Sequence, residues 1–99
     1  MFVHKKGTVK YTIDMFKDAE TAQFVGIAQG LGYSGYGPTI DEAIKNTNIS
    51  MQMALEWHIE NGTFEQILKE CGYELQIEGD QKIWKLNSYV GNFESYVAA

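Results

Sequence analysis

Arginine is missing from this 99-residue chain, and all eight of its basic side chains are lysine. Proteins that read phosphates and base edges rely on clustered Lys and Arg, with Arg supplying a planar bidentate fork, so the absence weighs against a nucleic-acid reader. Lys17 and Lys45 moreover enclose a stretch with no basic residue at all. Cys71 is the single cysteine; no internal disulfide can form, and a reducing compartment is the natural expectation. No segment approaches the ~18 consecutive apolar residues of a membrane span. The opening Met1-Phe2-Val3-His4-Lys5-Lys6 meets its lysines before any apolar run, unlike a signal peptide. A cytoplasmic location is therefore expected, which makes the sequons Asn48-Ile49-Ser50 and Asn61-Gly62-Thr63 chance matches.

What the chain does contain is the material for one folded domain. Hydrophobic residues make up 44% and aromatics 13%, an ordinary composition for a globular chain and not a disordered one. A chain of this size buries roughly 65% of its unfolded surface. The net charge of −5 is unevenly placed, since residues 1–50 hold five Lys against five acids and residues 51–99 hold three against eight. Such an acidic surface aids solubility and would also steer a basic partner toward the second half.

Hydrophobic spacing supplies the elements. Val9 to Phe16 alternates, with Val9, Tyr11, Ile13 and Met15 on one side and Lys10, Thr12 and Asp14 on the other, the period of a strand with one wet face. Lys17 to Thr21 is a polar connection, Gln23 to Gln29 reads as a second strand, and Tyr33 to Tyr36 as a short third one after the turn at Gly30 and Gly32. Thr39 is a good N-cap with Glu42 three residues on, while Pro38 discourages any earlier helical turn, so a long helix begins at Ile40 and stops at Asn61-Gly62. At 100° per residue, Ile40, Ala43, Ile44, Thr47, Met51, Ala54, Leu55 and His58 share a broad core-facing stripe. Thr63 and Gln66 repeat the capping logic ahead of a short helix with Phe64, Ile67, Leu68 and Cys71 on its apolar face, closed by Gly72. Tyr73 to Ile77, the turn Gly79-Asp80 and Lys82 to Leu86 form a hairpin. The expected architecture is α+β: an antiparallel β-meander packed on one long helix, plus a short second helix and a C-terminal hairpin. Residues 1–86 form the domain and residues 87–99 a tail that can order against the sheet or a partner.

The chemistry-bearing motifs dissolve on inspection. Gly30-Leu31-Gly32-Tyr33-Ser34-Gly35 matches G-x-G-x-x-G, but the dinucleotide fingerprint needs its last glycine to open a helix inside a parallel βαβ unit, and here the cap lies further on at Thr39. Turns and close backbone approaches explain these glycines. His58 sits on the core stripe with no H-E-x-x-H or clustered His and Cys spacing, so no metal ligand set is read. Cys71 belongs to an apolar stripe and lacks a sequence-identifiable base. No catalytic residue, cofactor site or enzymatic activity is assigned.

One feature exceeds what a small domain needs. Ile49, Met53 and Trp57 form an i, i+4, i+8 row on the side of the long helix away from the core stripe. The row is open to three readings: a helix buried on both sides within the chain, coverage by the second helix, or an intermolecular contact, most simply a homodimer. A further alternative for the domain is RNA binding, with Tyr33 and Tyr36 as stacking surfaces.

The order strand, strand, short Gly-containing strand and capped helix, together with Gly32 and the run Gly37-Pro38-Thr39-Ile40-Asp41-Glu42-Ala43-Ile44, resembles the HicB-like antitoxin family over about Val9 to Ile59. Gly37, Thr39, Glu42, Ala43 and Ile44 fit that family's helix start, whereas Gln29-Gly30-Leu31-Gly32-Tyr33 stands where its turn carries prolines and a cysteine. The resemblance implies a partial ribonuclease-H-like α+β fold without catalytic acids, homo-oligomerisation, and neutralisation of a small basic HicA-type mRNA-cleaving toxin. Many members add a C-terminal DNA-binding module. Residues 73–99 are too short and strand-like for one, so DNA binding is not carried over.

Overall fold

The local patterns sort into seven strands and two helices in a computed structural model that describes residues 1–86 and Ser95. The strands are β1 (Phe2–His4), β2 (Gly7–Lys10), β3 (Ile13–Lys17), β4 (Phe24–Ala28), β5 (Ser34–Gly37), β6 (Tyr73–Glu78) and β7 (Gln81–Leu86). The helices are α1 (Ile40–Glu60) and α2 (Phe64–Glu70). The fold is α+β, as the hydrophobic periods predict. The expected tail, residues 87–99, lies outside the described residues except for Ser95.

The meander is β3-β4-β5, antiparallel throughout. The C-terminal hairpin β6-β7 does not extend it. It joins β1 and β2 in a second sheet of order β1-β2-β7-β6, in which β2 and β7 run parallel. Two sequence expectations change here. The alternating stretch Val9 to Phe16 is not one strand: it breaks at Tyr11 and Thr12, sending β2 to one sheet and β3 to the other. A period-two pattern survives such a break because the residues on either side keep their parity. The edge strand β1 was not anticipated, since three residues are too few to show a period.

α1 begins as the sequence requires. The Thr39 hydroxyl accepts the Glu42 N–H at 3.2 Å, and Asp41 and Glu42 place negative charge at the positive end of the helix dipole. At the far end, Gly62 takes a left-handed φ of +71°. The helix lies mainly on β5 and β4, and the approach is close because the facing strand positions are glycines. A Cβ on Gly35 would run into the backbone of Asn46 and Thr47, and one on Gly26 would fall 2.5 Å from the Thr47 hydroxyl. Thr47, completely buried, turns that hydroxyl back to the Ala43 carbonyl at 2.7 Å. Contact through Ala43 and Thr47 this tight leaves no room for larger side chains beneath the first turns. Ile40 and Ile44, expected on the core stripe, therefore flank the contact and stay 48% and 36% exposed.

Further along, Met51 and Leu55 enter the main core with Phe2, Val9, Ala28, Phe64, Leu68, Tyr73 and Trp84. Full burial of such a side chain stabilises by about 1.5–3 kcal/mol. Phe64 from α2 meets the Trp84 ring edge-on at 6.4 Å, which packs the short helix onto the second sheet. α1 thus serves both sheets, its first half covering the meander and its second half joining the core shared with the hairpin.

Candidate interaction surface

The outer side of α1 is set by the same geometry. Once Ala43, Thr47, Met51 and Leu55 face inward, residues half a turn away must face outward. Ile49, Met53 and Trp57 occupy that side and are 45%, 67% and 57% exposed. α2 packs on β6 and against α1 but leaves all three side chains exposed. Among the described residues, neither the sheets nor α2 buries the row. An apolar stripe of an aliphatic, a thioether and an indole remains in contact with water.

Trp57 makes one ring contact, while its backbone carbonyl takes part in closing the helix. Its ring meets the His58 imidazole edge-on at 5.0 Å and 89°, and its carbonyl accepts the Asn61 side-chain N–H at 2.8 Å. His58 is fixed in turn between two hydroxyls, with Nδ1 2.7 Å from Thr63 Oγ1 and Nε2 3.4 Å from Tyr33 Oη. This corrects the expected cap on α2. Thr63 makes no side-chain capping bond, since its hydroxyl is engaged by His58, and Gln66 reaches along the helix to Glu70 at 3.0 Å instead of back to Thr63. Beside Trp57 lies a shallow groove of about 180 Å³, walled by His58, Thr63, Gln66, Ile67 and Glu70.

Carboxylates outnumber cations at both ends of the helix: Asp41 and Glu42 lie in the first turn ahead of Lys45, the only lysine on α1, Glu56 and Glu60 lie toward the end, and all five are exposed. Gln52 donates to Glu56 at 3.1 Å and orients one of these carboxylates along the helix.

A second uncovered apolar area escaped the sequence reading. Register places Phe16, Val25 and Tyr36 in one cross-strand row, on the face of the meander opposite to Gly26 and α1. Phe16 and Tyr36 are exposed. The available signal was parity, since Phe16 falls out of step with Ile13 and Met15. The same parity separates the two tyrosines of the RNA-binding alternative: Tyr36 projects from the open sheet face, while Tyr33 is partly buried against the core. They do not form a common stacking surface.

The Cys71 thiol is pushed up in pKa by burial first and by neighbouring Glu70 second, which disfavours the nucleophilic thiolate. No group of three or more His, Cys, Asp or Glu side chains is placed to hold a metal ion among the described residues, nor is any of their helices long and apolar enough to cross a membrane. Compared with known proteins, the chain matches no family model, no curated protein and no solved structure.

Proposed function

We propose that this chain is a protein-binding module resembling a HicB-type antitoxin, which self-associates through the outer face of α1 and neutralises a small basic mRNA-cleaving toxin. The observation that carries the docking part is the exposure of Ile49, Met53 and Trp57 opposite a fully buried stripe on the same helix. Trp and Met are enriched at interface centres. The antitoxin part is supported by the order of three antiparallel strands and a capped helix over Val9 to Ile59, and by the excess of acidic residues in the second half, which would attract a basic partner.

Trp57→Glu tests the docking face. The variant is expected to retain its far-ultraviolet circular dichroism and to lose self-association in sedimentation experiments, because a carboxylate at a desolvated contact is left unpaired. A variant that associates as the parent does would remove the row from the proposal. Purification of the tagged chain with its neighbouring gene product tests the partner: recovery of a small basic ribonuclease whose activity is suppressed supports the antitoxin reading, and an unaffected ribonuclease overturns it.

A further inference from the structure

We infer that Asn61 is a site of spontaneous chemical modification, at which the backbone nitrogen of Gly62 displaces the side-chain amide and turns the cap of α1 into aspartate or isoaspartate. The inference is independent of the docking reading and concerns the junction between the two helices. Asn followed directly by Gly occurs once in the chain. A glycine in that place leaves the attacking nitrogen unshielded by any side chain of its own.

Water is the only co-reactant the step requires. The Gly62 nitrogen gives its proton to solvent and bonds to Asn61 Cγ, the bond from Cγ to the side-chain nitrogen breaks, and ammonia leaves after taking a proton from water. Water then opens the cyclic imide. Cleavage at Cγ restores an ordinary backbone carrying Asp at position 61, whereas cleavage at the main-chain carbonyl routes the backbone through the side chain and adds a methylene to it. In either product the protein has exchanged an NH2 group for OH.

The fold sets Asn61 apart from the other described asparagines. Asn46 and Asn48 sit inside α1, where the nitrogens of Thr47 and Ile49 belong to the helical ladder. Their side chains are engaged as well, Asn46 donating to the Tyr36 carbonyl at 2.7 Å and Asn48 accepting from Tyr11. Asn61 stands just past the last residue of α1 and is exposed, as is Gly62. The Gly62 N–H reaches the Ile59 carbonyl only at 3.3 Å, long for such a bond, and nothing lies within 4 Å of the position a Gly62 Cβ would take. Two shorter bonds restrain Asn61, from its Nδ2 and its N–H to the Trp57 carbonyl at 2.8 and 3.0 Å. Fraying of the helix end opens both and frees ψ of Asn61, now 3°, to rotate toward the ring geometry. The fold therefore slows the reaction without preventing it.

Either product weakens this corner of the molecule. Aspartate loses the donor to the Trp57 carbonyl and sets a carboxylate at the negative end of the α1 dipole, next to Glu60. Isoaspartate lengthens the path from His58 to Thr63, whose N–H bonds the His58 carbonyl at 2.9 Å and whose hydroxyl meets His58 Nδ1 at 2.7 Å. Those bonds tie the end of α1 to the start of α2, so conversion loosens the junction beside Trp57.

Ageing of the full chain in warm, mildly alkaline buffer, followed by peptide mass mapping, tests the site. The exchange of NH2 for OH is expected at Asn61 and not at Asn46 or Asn48, more slowly than in the urea-unfolded chain, with isoaspartate detected by enzymatic methyl transfer. Asn61→Gln is expected to stay unmodified at this position. Gly62→Ala, compared with the parent in urea so that the fold plays no part, is expected to convert more slowly. The aged parent and Asn61→Asp are both expected to unfold at lower urea than the fresh parent. A folded chain that keeps the Asn61 amide over the time in which the unfolded chain loses it overturns the site. Equal rates for Gly62→Ala and the parent overturn attack by the Gly62 nitrogen, and an aged protein with an unchanged urea midpoint overturns the loosened junction.

Discussion

The hydroxyl of Tyr11 donates a 2.5 Å hydrogen bond to Oδ1 of Asn48, joining the bend between the two sheets to the middle of α1. Tyr11 is half-buried, and burial raises its pKa, which keeps the phenol protonated and able to donate. Tyr11→Phe leaves the Asn48 oxygen without this donor and is expected to destabilise by about 1–2 kcal/mol. Asn48→Ala should cost a similar amount, and the double variant little more than either single one. Urea denaturation of the four proteins measures the coupling; additive losses would show that the bend is held by packing alone.

Gly35 is expected to be the least replaceable glycine of the meander. An added Cβ meets helix backbone, which cannot rotate away as a side-chain end can, so Gly35→Ala should cost about 3 kcal/mol or separate α1 from β5. Gly32 provides the comparison. It has open space around the Cβ position but a φ of +78°, and Gly32→Ala should cost only the backbone strain of about 1–2 kcal/mol. Midpoints of chemical unfolding for the two variants should differ in that order.

Tyr73 gives the fold an alkaline limit. Its buried ring donates its hydroxyl to the Gln29 carbonyl at 2.7 Å, and its pKa is pushed up to about 12, by burial first and then by Cys71 and Tyr11. The unfolded chain releases this proton near pH 10 and the folded chain near pH 12. The unfolded state therefore binds fewer protons between these values, so stability is fully present below pH 10 and falls as pH rises through that window. Tyr73→Phe removes the titrating group and should flatten the decline, as followed by circular dichroism across pH 9–12.

The elements whose identity depends on neighbouring residues were readable in advance. Thr39 with Glu42 fixes the start of α1, Asn61-Gly62 its end, and Gly79-Asp80 the turn of the hairpin, because caps and turns are local chemistry. The partition into two sheets was hidden, since the parallel pairing of Val9 with Trp84 joins residues distant in sequence and leaves no periodic trace in either strand. The exposed positions of Ile40 and Ile44 were hidden for a related reason: helical spacing gives the side of a residue, while only the glycines of β5 determine how closely that side is approached. The row of Ile49, Met53 and Trp57 was visible as a pattern, but its contact with water depended on where α2 packs.

Because a single helix furnishes the lid of the meander and part of the hairpin's interior, neither sheet can come apart on its own without stripping α1 of one of its supports. Melting is consequently expected to take both sheets in one step, with amides of β4 and β7 exchanging at a common rate under conditions where exchange follows global opening.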